Sequence, residues 1–235
     1  MSKKHPQAIL AMDAAYFANK PEFANPLNQY DYEQWLQEAQ SHLVIREREA
    51  LETDPTYRQL LPYVLVEQVG LDGVTRYTPY RRTKQIGESR LAGNVSVGFG
   101  GHIDLSDVYI DDKSCIGLQE TIASAAAREL VEELCIAING LVLTEAEKED
   151  LFFYAPVSPL RMSGYFILDN ANDVGRVHVG LVFIARLPAN FSVSCQETEL
   201  QSMTAMTARE LLDAGLPLEP WTQIILSELV TPDAA

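Results

Sequence analysis

The chain is poor in cysteine, poor in cations and free of long apolar runs. Three cysteines, Cys115, Cys135 and Cys195, make an odd number, at spacings that suit neither a disulfide framework nor a zinc site. Reduced, structural thiols are expected. No apolar run reaches the length of a membrane span, and the early segment 8–18 is interrupted by Asp13 and lacks a cleavage signal. The expectation is a cytoplasmic protein without a membrane partner. Lys and Arg number 18 against 33 Asp and Glu, a net charge of −15. That field argues against nucleic-acid polymers and anionic bilayers, whose binding calls for a basic footprint. A small phosphate ester remains compatible where a metal and local cations offset the charge. Five of the 18 basic residues, Arg76, Arg81, Arg82, Lys84 and Arg90, lie shortly before a double glycine, whereas only Arg209 follows Arg186.

What is present is ample for a core: 47% of the residues are hydrophobic, and the length suits one domain of moderate size with an extension. The stretch 96–136 organises the rest. It contains Ser96-Val97-Gly98-Phe99-Gly100-Gly101-His102-Ile103-Asp104, then a loop, then Glu120 and the run Ala127-Arg128-Glu129-Leu130-Val131-Glu132-Glu133-Leu134. At 100° per residue, Ala123, Ala127, Leu130 and Leu134 form one apolar stripe, with Glu129, Glu132 and Glu133 along its flank. Like charges three and four residues apart repel by about 0.2–0.5 kcal/mol per pair. A divalent cation with oxygen ligands would relieve that repulsion, since Mg²⁺ takes a few carboxylates and completes its shell with water and phosphate. A solvated acidic face partly neutralised by Arg128 is the alternative.

These residues resemble the signature of the Nudix hydrolase family, G-x5-E-x7-R-E-U-x-E-E-x-G-U with U aliphatic. Glu120 stands eight positions before Arg128, and 128–134 matches the core of the pattern without a gap. Two positions depart from it. Position 114 is serine, so that Gly100-Gly101 looks like the family's glycines pushed upstream by an insertion after Asp104, and the late glycine is Cys135. The resemblance implies an α/β fold, a Nudix-like α/β/α sandwich with a mixed sheet. It also implies Mg²⁺ or Mn²⁺ held by Glu129, Glu132, Glu133 and the Gly100 carbonyl, with Arg128 and Glu120 orienting the carboxylates. Glu197 and Glu199 lie where the family often has one more acid; Glu129 or Glu197 would take a proton from water.

Around this centre, residues 1–57 read as an N-terminal helical extension and 58–235 as the hydrolase domain. Asp31 and Gln34 resemble a capping box for a helix with Trp35, Leu36, Ala39 and Leu43 on its apolar side, which docks on the domain or on a second copy in a homodimer. Residues 60–69 read as a strand, and Asp72-Gly73 as the turn of a hairpin into 75–82. Arg81, Arg82, Arg90, His102 and Arg161 are candidate substrate contacts; His102 could instead hold its loop. Asp104, Asp107, Asp111 and Asp112 do not match a calcium loop and read as solvated. Residues 144–150 read as a short charged surface element, 151–154 as a strand and 156–164 as a specificity loop. Strands at 165–168 and 177–187 follow, the second covered on both faces, with His178 a core histidine. Thr207 to Glu210 forms a capping box, Gly215 stops that helix, and Pro220 starts another.

The resulting expectation is metal-dependent hydrolysis of a diphosphate linkage in a small phosphorylated metabolite of nucleoside-diphosphate type. Two other functions occur on this fold: a nucleotide sensor without turnover, and a prenyl diphosphate isomerase, whose reactive cysteine is not evident near Gly100.

Overall fold

A computed structural model describes residues 7–83, 92–154 and 158–230. In chain order its elements are β1 (Ala8–Asp13), α1 (Ala14–Ala18), β2 (Leu27–Gln29), α2 (Tyr32–Ala39), β3 (Leu43–Glu47), α3 (Arg48–Leu51), β4 (Tyr57–Val69), β5 (Thr75–Tyr77), β6 (Tyr80–Arg82), β7 (Val95–Ser96) and β8 (Gly98–Phe99). Then come α4 (Leu118–Glu133), β9 (Leu134–Ile138), β10 (Leu141–Val142), α5 (Glu145–Glu149), β11 (Leu160–Ile167), α6 (Asp173–Arg176), β12 (His178–Leu187), β13 (Phe191–Cys195), β14 (Leu200–Ser202), α7 (Ala208–Asp213) and α8 (Pro220–Leu229). The chain is a mixed α/β protein. Contacts group it into two compact units, one from Met1–Tyr63, Gly101–Ala126 and Met162–Val182, the other from Val64–Gly100, Ala127–Arg161 and Phe183–Ala235.

In the first unit the strands run in the order β2-β11-β12-β4-β1-β3. β1 is a continuous apolar run buried from Ile9 to Met12, as a strand covered on both faces should be. It pairs antiparallel with β3, from Ala8↔Glu47 to Met12↔Leu43, and with residues 57–59 of β4. Asp13 then turns the chain into α1 by accepting a hydrogen bond from the Ala15 N–H. The expected helical extension is therefore corrected: residues 1–57 supply sheet strands as well as helices, because the short apolar run 8–12 has no amphipathic face to offer a helix. α2 forms as expected. Asp31 caps it through the Gln34 N–H, and Trp35 and Ala39 are fully buried, while the Gln34 side chain turns to Glu38.

The inserted segment after Asp104 is more ordered than a solvated loop. Asp104 and Asp107 cap each other across a short 3₁₀ turn, and Asp107 is buried, because its carboxylate accepts the Asp104 N–H. Asp111 accepts the N–H groups of Lys113 and Cys115. Ser114, where the family pattern has its first glycine, has φ of 61°, the left-handed region that favours glycine.

In the second unit the Asp72-Gly73 hairpin forms as expected. Gly73 has φ of 75°, Asp72 accepts from the Val74 N–H, and β5 pairs with β4 from Val69↔Thr75 to Glu67↔Tyr77. β8 pairs with the same strand at Val64↔Phe99 and Leu65↔Gly98. Two three-stranded sheets accompany it, β14-β6-β7 and β10-β9-β13. α7 has the Thr207–Glu210 capping box, and Gly215 follows it with φ of 64°. Two readings of this region are corrected. Residues 151–154 continue α5 as a wide helical turn, since four apolar residues fit a helix or a strand equally well. The specificity loop is in part strand β11, so Arg161 sits on a strand; Pro156 lies outside the described residues. Among the described residues, no helix is long and apolar enough to cross a membrane.

Candidate functional site

α4 ends at Glu133 and passes directly into β9 at Leu134. No glycine is required there, because Cys135 takes an ordinary strand conformation and pairs with Ser194. The carbonyls at the end of α4 receive an internal cap. Buried Lys148 donates its ammonium to the Val131 carbonyl, to the Leu134 carbonyl at 2.8 Å and to the Gln196 side chain at 3.0 Å, while the Gln196 N–H donates to the Glu133 carbonyl at 2.7 Å. The charged surface element expected at 144–150 thus contributes a buried cation. The last bonds also bring the turn holding Glu197 alongside the end of α4.

The three helix carboxylates differ in environment. The Glu129 side chain is 13% exposed and that of Glu132 51%, and Arg128 bridges them, its Nη1 donating to Glu129 at 2.9 Å and to Glu132 at 3.2 Å. Glu133 is buried and accepts the Gly100 N–H through Oε2 at 3.1 Å. Burial first, then the charges of Glu129 and Glu197, push its carboxyl up to about 8. Burial and the nearby Glu199 and Glu132 also raise Glu197, which itself is exposed. Glu133 thus meets the backbone at Gly100, whose φ of 142° suits glycine, while Glu129 and Glu197 act on it through their charge.

The glycine segment is held from behind. Tyr80 donates its hydroxyl to the Gly98 carbonyl at 2.8 Å, and Arg82 donates to that hydroxyl at 3.2 Å and to Glu219 at 2.5 Å. Thr222 of α8 accepts the Val97 N–H at 3.2 Å, and the Glu219 N–H donates to the Val95 carbonyl at 2.9 Å. Arg82 lies near enough to favour the charged forms of Glu133 and Glu197. Tyr80, Glu219, Thr222 and Lys148 were not legible as site residues. Nothing in their local pattern separates them from ordinary strand, cap and surface positions.

The remaining predicted residues are placed as follows. Arg81 donates to the Gly93 carbonyl at 2.7 Å, Arg161 is exposed on β11, and Arg90, with Lys84, lies outside the described residues. Glu120 is in the first turn of α4 and lines an open groove of about 420 Å³ in the first unit with Glu33, Leu36, Gln37 and Gln40. His102 also belongs to the first unit, beside His178, their ring centroids 5.6 Å apart. Burial, the Arg48 cation and His178 lower it to about 3. His178 is buried, with Nδ1 2.7 Å from the Val174 carbonyl, as the core-histidine reading expects.

Glu129, Glu132, Glu133 and the Gly100 carbonyl offer oxygen donors throughout, and the charges of Glu129 and Glu197 act on buried Glu133. The residues thus fit a hard dication such as Mg²⁺.

No family model matches the chain. It is 29% identical over 180 residues to Protein YmaB of Bacillus subtilis (strain 168), covering 76% of this chain and 74% of that protein. Among solved structures it resembles Tm1382, whose assignment as a Nudix hydrolase is provisional, with a TM-score of 0.66 and 22% identity over 95% of this chain and 98% of that one. It also resembles the NUDIX hydrolase from Alicyclobacillus acidocaldarius, with a TM-score of 0.51 and 21% identity over 75% of this chain and 93% of that one.

Proposed function

From a chain that has the Nudix hydrolase fold, we propose a Nudix-type pyrophosphohydrolase that cleaves the diphosphate linkage of a small phosphorylated metabolite, of nucleoside-diphosphate class, with Mg²⁺ or Mn²⁺. The observation that carries this reading is the buried Glu133 carboxyl bonded to the Gly100 N–H, on the same helix end as Glu129 and Glu132, which Arg128 bridges. Glu129, Glu132, Glu133 and the Gly100 backbone would hold the metal. Bound there, the ion supplies Lewis-acid polarisation of a phosphate and a lower pKa for water. Arg128 fixes the Glu129 and Glu132 carboxylates by bonding both, the kind of supporting contact whose loss costs about 10- to 100-fold in affinity or activity. Arg82, already committed to Glu219 and Tyr80, steadies the glycine segment and tempers the local negative field. Glu197, exposed and with its carboxyl raised, or Glu129 would accept a proton from water.

The test is Mg²⁺-dependent release of phosphate or pyrophosphate products from a panel of dinucleotide and nucleotide-sugar diphosphates, with products identified. Wild type turns over at least one of them, and the Glu132→Gln/Glu133→Gln double variant loses activity by about 100-fold or more. Undiminished turnover by a folded double variant would overturn the assignment.

A further inference from the structure

The first unit contains a group of metal-ligating side chains, made of residues the proposed carboxylate site does not use. Glu52, the C-cap residue of α3, His102, just after β8, and His178, the first residue of β12, place their ligating atoms within 4.8 Å of one another. Among the described residues this is the one mixed histidine–carboxylate group of that kind. We propose that Glu52, His102 and His178 form a binding site for a single transition-metal dication of zinc class, separate in chemistry from the oxygen-lined carboxylate site.

Two observations besides proximity support a built site. First, His178 is oriented as a ligand. Its Nδ1 lies 2.7 Å from the Val174 carbonyl, and because a carbonyl only accepts, that nitrogen carries the proton and Nε2 keeps the lone pair. A backbone carbonyl on the far nitrogen is the usual way a metal-binding imidazole is fixed in tautomer and angle. Second, the segment that carries His178 is rigidly anchored. Buried Arg58 donates to the His178 carbonyl at 3.0 Å and to the Gly175 carbonyl at 2.9 Å. Gly175 is packed so closely that an added Cβ would lie 2.0 Å from the Asp169 carbonyl oxygen. Glu52, by contrast, is exposed and adjustable, with Oε1 3.2 Å from the Arg48 guanidinium and a second oxygen available.

The geometry needs only modest closure. Ligand atoms around a tetrahedral Zn²⁺ at about 2.0–2.1 Å stand about 3.3 Å apart, so closure takes a rotation of the Glu52 side chain and a small approach of the two rings. Two neutral imidazoles and one carboxylate suit zinc-class ions, whereas Mg²⁺ prefers oxygen throughout.

The probe is Co²⁺, then Zn²⁺, added to the full chain in excess Mg²⁺ and under reducing conditions. The expected result is one equivalent of Co²⁺ retained through dialysis, with visible d–d bands, no thiolate charge-transfer band, and displacement by Zn²⁺. His102→Gln and Glu52→Gln should each weaken the apparent affinity by about 10-fold or more. Glu52 is exposed, so its variant keeps the test readable even if His102→Gln folds poorly. Failure of Co²⁺ to bind stoichiometrically, a thiolate band, or unchanged affinity in Glu52→Gln would each overturn the proposal.

Discussion

Replacing Glu133 with glutamine should make the metal-free protein more stable at alkaline pH while disabling the site. Burial, with Glu129 and Glu197 nearby, raises the Glu133 carboxyl from 4.5 to about 8 in the folded protein. Between those values the folded chain holds a proton that the unfolded chain has released, so stability declines as pH rises. One pKa unit corresponds to about 1.4 kcal/mol, so the cost approaches a few kcal/mol by pH 8. Glutamine has nearly the same shape, can still accept the Gly100 N–H that Glu133 now accepts at 3.1 Å, and never ionises. The assay is urea unfolding from pH 5 to pH 8 with EDTA, comparing the two proteins at each pH so that other titrating groups cancel. The curves should nearly coincide at the acid end and separate steadily above it, with Glu133→Gln the more stable. Mg²⁺ should then narrow the gap. Wild type gains stability by mass action, about 2.7 kcal/mol at a hundredfold excess over Kd, and the variant gains much less. A variant no more stable than wild type at pH 8 without metal would refute the reasoning about the buried charge.

Other perturbations read other parts of the fold. Lys148→Met removes the donor to the Val131 and Leu134 carbonyls, and a loss of about 2 kcal/mol or more should lower Tm by about 4–8 °C in calorimetry. Ser114→Gly relieves a left-handed serine at φ of 61°, and denaturant unfolding should show a gain of about 0.5–1 kcal/mol; a loss would mean the serine side chain contributes there. His102 is lowered from 6.5 to about 3, so below pH 6.5 the unfolded chain binds the extra proton and stability falls with acidification. In EDTA, His102→Gln should therefore flatten the stability profile between pH 4 and pH 6, measured as the difference from wild type.

The local parts of the fold were legible because their causes are local. The Asp72-Gly73 turn, the caps at Asp31 and Thr207, and the helix carrying Glu129, Glu132 and Glu133 each depend on residues within a few positions. Readings failed where local pattern is degenerate. Four apolar residues at 151–154 fit a strand or a helical turn, and Lys148 looked like a surface lysine until its partners were in place. The sequence by itself determined the acidic helix, the glycine segment and the negative overall charge, since composition and spacing are enough for these. Only the tertiary structure decided that Gly100 meets Glu133 across 33 positions, that Arg82 is committed to Glu219, and that Glu52 and His178 converge on His102. Those pairings depend on chain reversals and burial, and the pKa of a carboxylate is set by what surrounds it after folding rather than by its neighbours in sequence.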